Sequence, residues 1–223
     1  ISKIQSFIIP PKTGINYKPG IWHFPLISTE DTNFLVIDRK GSGENLIIHK
    51  FEKENIILIV GRLHPQKSHI TLIKAFTNIH MNYPDWKLVI VGDGKLRESL
   101  ETQASENVIF EGTSDTPYEY YAKAKIYVLP SLHEGTPNSL LEAMSCGVAP
   151  IISDACEGAL PYIENEKSGL IFPVQNVDAL VQAISRLIDN PEDIKNMATM
   201  ARESVAPLFE KTTLDLWQEA LEK

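Results

Sequence analysis

The chain has 223 residues, of which 43% are hydrophobic, and it carries a net charge of −8 with a pI near 5.3. The acidic balance argues against a general nucleic-acid binder, and the length suits one large domain or one domain with an appendage. No apolar run approaches the roughly 18 residues of a membrane span, and the first residues lack the features of a signal peptide. The two cysteines, Cys146 and Cys156, form no CxxC pair and no zinc spacing, so a reduced, cytoplasmic setting is expected.

The first 50 residues differ from the rest of the chain because four prolines interrupt them. Residues 33–38 and 45–51 are interpreted as a hairpin around a Gly-Ser-Gly turn at 41–43. We interpret residues 1–50 as an irregular N-terminal extension, a linker and insertion, with the remnant of a preceding domain as the alternative.

From residue 55 onward, short β-branched runs alternate with helical patterns. Strands are predicted at 56–60, 87–91, 108–110, 126–129, 149–152 and 170–172. Helices are predicted at about 69–82, 94–104, 118–124, 137–146, 157–164, 176–189 and 191–205. The strand runs do not alternate between apolar and polar residues, which is typical of parallel strands covered on both faces. The pattern predicts an α/β domain over residues 51–205, a doubly wound parallel sheet of Rossmann-like type. Residues 206–223 are predicted as a C-terminal crossing helix, amphipathic over 212–223, which Pro207 separates from the preceding helix.

Four of the predicted strands end in loops with unusual residues. The first loop carries Arg62 and Lys67, the second reads Gly-Asp-Gly from Gly92, the third reads PSLHEGTPNS, and the fourth reads SDACEGA. Ligands of doubly wound sheets bind where the carboxyl ends of the strands meet. The two cations are therefore expected to face the same crevice as the helix that follows the third loop.

The third loop leads into a predicted helix that begins in an anion-binding arrangement. Thr136 is predicted as its N-cap and Pro137 as its first residue, which leaves the N–H groups of Asn138 and Ser139 unpaired. Such a helix start favours a phosphate group. Glu134 and Glu142, eight positions apart, would flank that phosphate. A nucleoside diphosphate sugar has hydroxyl groups on both sides of its phosphates and fits this layout.

The charge on a leaving diphosphate must be stabilised, often by a metal ion that paired aspartates hold. The chain contains no Asp-x-Asp pattern, so Arg62, Lys67 and the helix start are predicted to stabilise the charge and no metal is expected. No metal spacing joins the histidines, which are interpreted as packing or hydrogen-bonding residues: His64, His69 and His133. Glu142 is predicted to lie on a mostly buried helix, and Cys146 to be a small buried residue at its end. Three tyrosines are interpreted as core or rim residues, with base stacking as the alternative: Tyr118, Tyr120 and Tyr121.

The motifs GRLHPQK, VIVGDG, VLPSLHEGTPNSLLEAMSCG and SGLIFP, in this order and spacing, resemble the C-terminal domain of retaining glycosyltransferases of family 4. The resemblance covers about residues 55–222 and implies the C-terminal half of a GT-B fold. It implies that Arg62 and Lys67 hold the donor diphosphate, that Glu134 contacts the donor sugar and that Glu142 contacts the ribose. It also extends the donor-binding set to Gly61, Gly92, Gly135, Thr136, Pro137, Asn138, Ser139 and Leu140.

The resemblance implies a UDP- or GDP-linked sugar as the donor, with no cofactor and no nucleic-acid partner. In that family the acceptor binds to an N-terminal domain, which is expected to be missing from this chain. The chain alone is therefore expected to bind the donor without transferring the sugar. The full-length enzyme is expected in the cytoplasm, with peripheral membrane association as an open option. Alternatives are a non-catalytic module that binds nucleotide sugars, and a GT-B epimerase or phosphorylase, although no lysine site for pyridoxal phosphate is evident.

Overall fold

The computed structural model describes residues 52–210, with side chains through residue 208. Six parallel strands form one sheet: β1 (Ile56–Val60), β2 (Lys87–Val91), β3 (Val108–Gly112), β4 (Ile126–Leu129), β5 (Ala149–Ser153) and β6 (Leu170–Phe172). Their order in the sheet is β3-β2-β1-β4-β5-β6. All six predicted strands are confirmed, with β3 and β5 slightly longer than expected. The interpreted hairpin and the tail at 212–223 lie outside the described residues.

The strands form because both of their faces are covered. In β1, Ile57 and Ile59 pack into one buried cluster, whereas Leu58 between them packs into a second cluster on the opposite face. Leu58 is paired in register with Val89 on one side and Tyr127 on the other. Burying one such aliphatic side chain contributes about 1.5–3 kcal/mol, which explains why uninterrupted apolar runs become central strands.

In the described part of the chain, six α-helices accompany the sheet: α1 (His69–Ile79), α2 (Arg97–Glu101), α3 (Pro117–Lys123), α4 (Asn138–Ser145), α5 (Val177–Asp189) and α6 (Pro191–Glu210). Helix α5 begins at Asn176, whose side chain accepts the N–H of Ala179 at 3.0 Å. The predicted helices at 69–82 and 94–104 are shorter in the structure than expected. Within residues 52–210, no helix is long and apolar enough to cross a membrane.

Two helix predictions are wrong. Residues 157–164 form only one 3-10 turn, Leu160–Tyr162. Pro161 would fall inside the predicted helix, where it has no N–H to donate, and Ile163 after the turn is extended. Helix α6 does not end at 205 but runs through Pro207 to Glu210. The preceding turns bury Ala201 and Val205, and this packing holds the helix despite the donor that Pro207 lacks.

The strand order places a reversal point between β1 and β4. The chain moves outward from β1 to β2 and β3, then returns to β4 on the other side of β1 and continues to β5 and β6. At such a point the loops after two neighbouring strands diverge and leave a crevice at the carboxyl edge of the sheet. The loops that follow β1 and β4 carry most of the predicted site residues.

Candidate functional site

The loops after β1 and β4 meet in an ion pair. Lys67 ends a single 3-10 turn, Pro65–Lys67, and its Nζ lies 2.6 Å from Oε1 of Glu134. The side chains are only 18% and 8% exposed, so the pair is largely shielded from water. The sequence predicted both residues in one crevice, but their direct contact is a finding of the structure.

Gln66 joins the same two loops through one backbone and one side-chain hydrogen bond. Its carbonyl accepts the N–H of Leu132 at 2.8 Å, and its side-chain amide donates to the carbonyl of His133 at 3.0 Å. The ring of His64 accepts the N–H of Gln66 at 3.3 Å, which caps the 3-10 turn. The two loops therefore hold Lys67 and Glu134 together. Sequence analysis did not identify Gln66, because only the fold brings it to the other loop.

Ser131 is a second partner of Glu134. Its hydroxyl donates to the same Oε1 at 2.6 Å, and its carbonyl accepts the hydroxyl of Ser153 at 2.5 Å. Both serines are fully buried. Within residues 52–210 no hydrogen bond reaches Oε2 of Glu134, so this oxygen is the one that a ligand would meet. The position of Ser131, directly after β4 and three residues before Glu134, was the available sequence signal.

The loop after β5 packs directly on the loop that carries Glu134. The N–H of Gly158 donates to the carbonyl of Glu134 at 3.2 Å. A Cβ at Gly158 would lie 1.5 Å from the carbonyl oxygen of Gly135, so only glycine fits there. Gly135 has open space beside it, which leaves room for a ligand at this point.

The loop after β2 approaches the loop after β1 equally closely. Gly92 has a φ of 139°, and a Cβ there would lie 2.0 Å from the carbonyl oxygen of Gly61. A Cβ on Gly61 itself would make ordinary contact with the Lys67 side chain at 3.6 Å. The predicted donor-binding glycines Gly61 and Gly92 therefore let two backbones and the Lys67 side chain pack side by side.

Helix α4 begins one residue later than predicted. Pro137 is the N-cap, with φ −84° and ψ 85°, and no side chain caps the helix, so the prediction of Thr136 as the N-cap is wrong. The extended ψ of Pro137 delays the helical turn. The N–H of Asn138 was expected to be unpaired, but it donates to the carbonyl of Thr136 at 3.1 Å. The N–H of Leu140 donates to the carbonyl of Pro137 at 3.0 Å. The N–H of Ser139 meets no acceptor within residues 52–210, so one of the two expected donors remains.

Tyr127, which is buried in β4, forms a hydrogen bond to the first turn of α4. Its hydroxyl donates to Oγ of Ser139 at 2.8 Å, and burial raises the pKa of Tyr127 far above its ordinary value. The phenol therefore remains a proton donor at any physiological pH. Sequence analysis did not single out Tyr127, because its position in β4 marks it only as a core residue.

Glu142 does not occupy the environment that the sequence predicted. It is exposed on α4 and it has a partner, since the hydroxyl of Tyr121 donates to its Oε2 at 3.0 Å. Glu142 is therefore not the buried, unpaired carboxylate that the sequence predicted. Tyr121 itself is buried, as its interpretation as a core residue allowed, and burial strongly raises its pKa. This one hydrogen bond from Tyr121 holds Oε2 of Glu142 in place.

The remaining predicted residues have plainer surroundings. The side chain of Arg62 is exposed and forms no ion pair within residues 52–210, so it is available to an anion. His69 is only 2% exposed and neither ring nitrogen has a partner. Burial, with the charge of Lys67, lowers the pKa of His69 to about 4. Cys146 is exposed at the end of α4, which corrects its predicted burial. Among the described residues, no three His, Cys, Asp or Glu side chains cluster as metal ligands would.

Comparison with known proteins gives these loops a context. The family model described as "Glycosyl transferases group 1" matches residues 44–204, which is more than half of the chain. The model of ureidoglycolate lyase matches residues 1–58, which lie almost entirely outside the described part.

Two curated relatives are glycosyltransferases. The chain is 30% identical over 183 residues to an N-acetylgalactosamine-N,N'-diacetylbacillosaminyl-diphospho-undecaprenol 4-alpha-N-acetylgalactosaminyltransferase of Campylobacter jejuni, covering 80% of this chain and 49% of the relative. It is also 30% identical to a UDP-Gal:alpha-D-GlcNAc-diphosphoundecaprenol alpha-1,3-galactosyltransferase of Escherichia coli, covering 68% of this chain and 41% of that protein. The chain thus spans about half the length of these curated relatives or less.

A solved structure has the same fold. The pneumococcal O-GlcNAc transferase GtfA, in complex with UDP and GlcNAc, superimposes with a TM-score of 0.71 at 22% identity, over 77% of this chain and 36% of that one. The Rossmann-like sheet predicted from the sequence is therefore the one found in GT-B glycosyltransferases. On the match to the family model, the chain belongs to the group 1 glycosyltransferases.

Proposed function

We propose that this group 1 glycosyltransferase chain is the donor-binding half of a retaining enzyme of family 4, and that its donor is a nucleoside diphosphate sugar. The observation that carries the proposal is the convergence of three loops on the Lys67–Glu134 pair, beside the start of α4. These loops and α4 carry two cations, a free N–H and two carboxylates. Such a set suits a ligand with phosphates between two hydroxyl-bearing rings.

The diphosphate is assigned to Arg62, Lys67 and the N–H of Ser139. As the glycosidic bond breaks, negative charge grows on the leaving phosphate, and fixed donors lower the energy of that state. Arg62 offers a bidentate contact and Lys67 a point charge. Two cations in one loop and the lack of an Asp-x-Asp pattern support a step that needs no metal.

The two carboxylates are assigned to the two rings. Glu134 directs its free Oε2 to the donor sugar while Ser131 and Lys67 hold Oε1. Glu142, oriented by Tyr121, accepts the ribose hydroxyls at the other side of the phosphates. The spacing of these carboxylates, as in the family that the motifs resemble, supports transfer with retention. The E. coli relative, whose name includes UDP-Gal, supports UDP as the first nucleotide to test, with GDP as the second.

For the whole protein, we propose an acceptor carried on a polyprenyl diphosphate at a cytoplasmic membrane surface. Both curated relatives described above have a diphospho-undecaprenol compound in their names. Peripheral membrane association would bring the donor half to such an acceptor.

The test is calorimetric titration of the chain with UDP, GDP and their sugar conjugates, in EDTA. One of the two nucleotides should bind, and Arg62→Ala and Lys67→Ala should each weaken it about tenfold or more, since a charged hydrogen bond contributes about 1.5–3 kcal/mol. Lys74→Ala, an exposed lysine on α1, is the matched control. Binding that survives both site substitutions, or that disappears on chelation alone, would reject the assignment.

A further inference from the structure

A second concave surface lies at the opposite edge of the sheet. A cavity of about 540 Å³ opens where β1, β2, β4 and β5 begin, and α6 forms its other wall. We call it the amino-end cavity; residues Asn55, Trp86, Lys125 and Thr199 mark its circumference. A five-residue strand is about 15 Å long, so the cavity is separate from the donor crevice at the carboxyl edge. Its volume lies within the range of about 300–1,000 Å³ that small-molecule sites occupy.

The amino-end cavity is cationic in an acidic chain. Four basic residues line it: Lys53, Lys125, Lys195 and Arg202. No aspartate or glutamate is among the described residues of its wall. The chain as a whole carries a net charge of −8, so this concentration of one sign is a local feature. Glu192 lies 3.9 Å from Lys195, but both side chains are about three-quarters exposed, and such a pair neutralises little charge. The cavity therefore has a potential that attracts an anion.

Lys53 fixes one of these charges in place. Its ammonium donates to three carbonyl oxygens, those of Tyr121, Ala124 and Cys146, at 2.9–3.2 Å. These carbonyls belong to the C-terminal ends of α3 and α4, where a cation is favourable. Burial lowers the pKa of Lys53 to about 8, which still leaves the group charged at neutral pH. Its charge contributes to the potential, whereas its hydrogen bonds are already used.

Part of the lining of the amino-end cavity is apolar and aromatic. Trp86 is 7% exposed, and the ammonium of Lys125 lies 5.8 Å from the centre of its ring while donating to Asn55 at 2.7 Å. Ile188 and Ile194 continue this wall along α5 and α6. Cationic and apolar residues therefore lie together in the lining, which favours a ligand that has both an anionic group and an apolar body.

We propose that the amino-end cavity is a second ligand site, which binds a small organic phosphate whose body is flat and apolar. The phosphate lies toward Lys125, Lys195 and Arg202, and the apolar body lies along Trp86 and the isoleucines. The site is separate from the donor crevice and does not depend on the function proposed above.

The experiment is a titration of the full chain with phenyl phosphate, followed by backbone amide NMR signals. The expected result is a saturating shift at Asn55, Lys125, Gly147 and Thr199, a pattern that the donor loops cannot produce. Inorganic phosphate should bind at least about threefold more weakly, because it lacks the apolar body.

Substitutions test the charges and the space separately. Lys125→Gln combined with Lys195→Gln should lower the affinity for phenyl phosphate about fivefold or more, while Lys74→Gln on α1 should leave the affinity unchanged. Thr199→Trp, at an exposed position of the wall, should fill the cavity and abolish the shifts without changing the two cations. Unchanged affinity in both altered chains would overturn the proposal.

Three other outcomes would also overturn it. Shifts confined to the loop from Gly61 to Lys67 would assign phenyl phosphate to the donor crevice alone. Equal affinity for inorganic phosphate and phenyl phosphate would show that the apolar body contributes nothing to binding. Binding to phosphatidylglycerol vesicles that depends on Lys125 and Lys195, without any phenyl phosphate shift, would make this surface a membrane contact instead.

Discussion

The Lys67–Glu134 ion pair should contribute measurably to folding stability, and Glu134→Gln is the substitution that tests it. Glutamine keeps the shape of the side chain and can still accept the Ser131 hydroxyl, so the change removes mainly the charge. A charged hydrogen bond contributes about 1.5–3 kcal/mol, and breaking a fully buried pair costs about 3–5 kcal/mol. Because the Lys67 side chain is 18% exposed, the pair is not fully buried, and we expect Glu134→Gln to lower the free energy of unfolding by about 2 kcal/mol.

This loss should lower the midpoint of thermal unfolding by about 4–8 °C in a domain of this size. Urea unfolding of Glu134→Gln, Lys67→Met and the double variant gives the coupling energy between the two residues, expected at about 2 kcal/mol. The same cycle on Glu192 and Lys195, whose side chains lie 3.9 Å apart and are about three-quarters exposed, should give about 0.5 kcal/mol or less. A coupling energy no larger than that of the exposed pair would refute the reasoning.

Three further predictions concern single residues. The pKa of His69 is about 6.5 in the unfolded chain and about 4 in the folded one. As the pH falls, the unfolded chain therefore takes up the proton first, and the free energy of unfolding decreases. Urea unfolding should show a decrease of about 2 kcal/mol in that free energy between pH 7 and pH 5, which should be absent in His69→Phe. Tyr121→Phe should weaken nucleoside diphosphate binding about fivefold in calorimetry by freeing Glu142, while Tyr120→Phe should not. Gly158→Ala should displace the loop it packs on and weaken sugar-nucleotide binding; binding equal to that of the native chain would contradict the close approach.

The sheet and the position of the crevice could be predicted because they follow from short-range signals. Six apolar β-branched runs at helix-length spacing leave few alternatives to a parallel sheet, and the carboxyl edge then collects the loops. For the same reason the sequence could predict that the loops carrying Arg62, Lys67 and Glu134 lie at this edge. Their roles toward a ligand remain predictions.

The contacts that support the site could not be predicted in this way. Lys67 and Glu134 are 67 positions apart, and Gly158 meets Gly135 only once two loops have packed. The hydrogen bond from Tyr121 to Glu142 could not be predicted, because the partner of a hydroxyl depends on the side-chain rotamer and on the neighbouring helix. The helix start at Thr136 was misplaced because the ψ of the following proline is set by the loop and not by the local propensity.

The central claim is that the loops around Glu134 bind a donor diphosphate. The measurement that tests it most directly is a crystal structure of the chain with a bound nucleoside diphosphate sugar. We expect phosphate oxygens within hydrogen-bonding distance of Arg62, of Lys67 Nζ and of the Ser139 N–H, with the sugar beside Glu134 and the ribose beside Glu142. A ligand whose phosphates lie away from Lys67, or whose two rings are exchanged between the carboxylates, would contradict it.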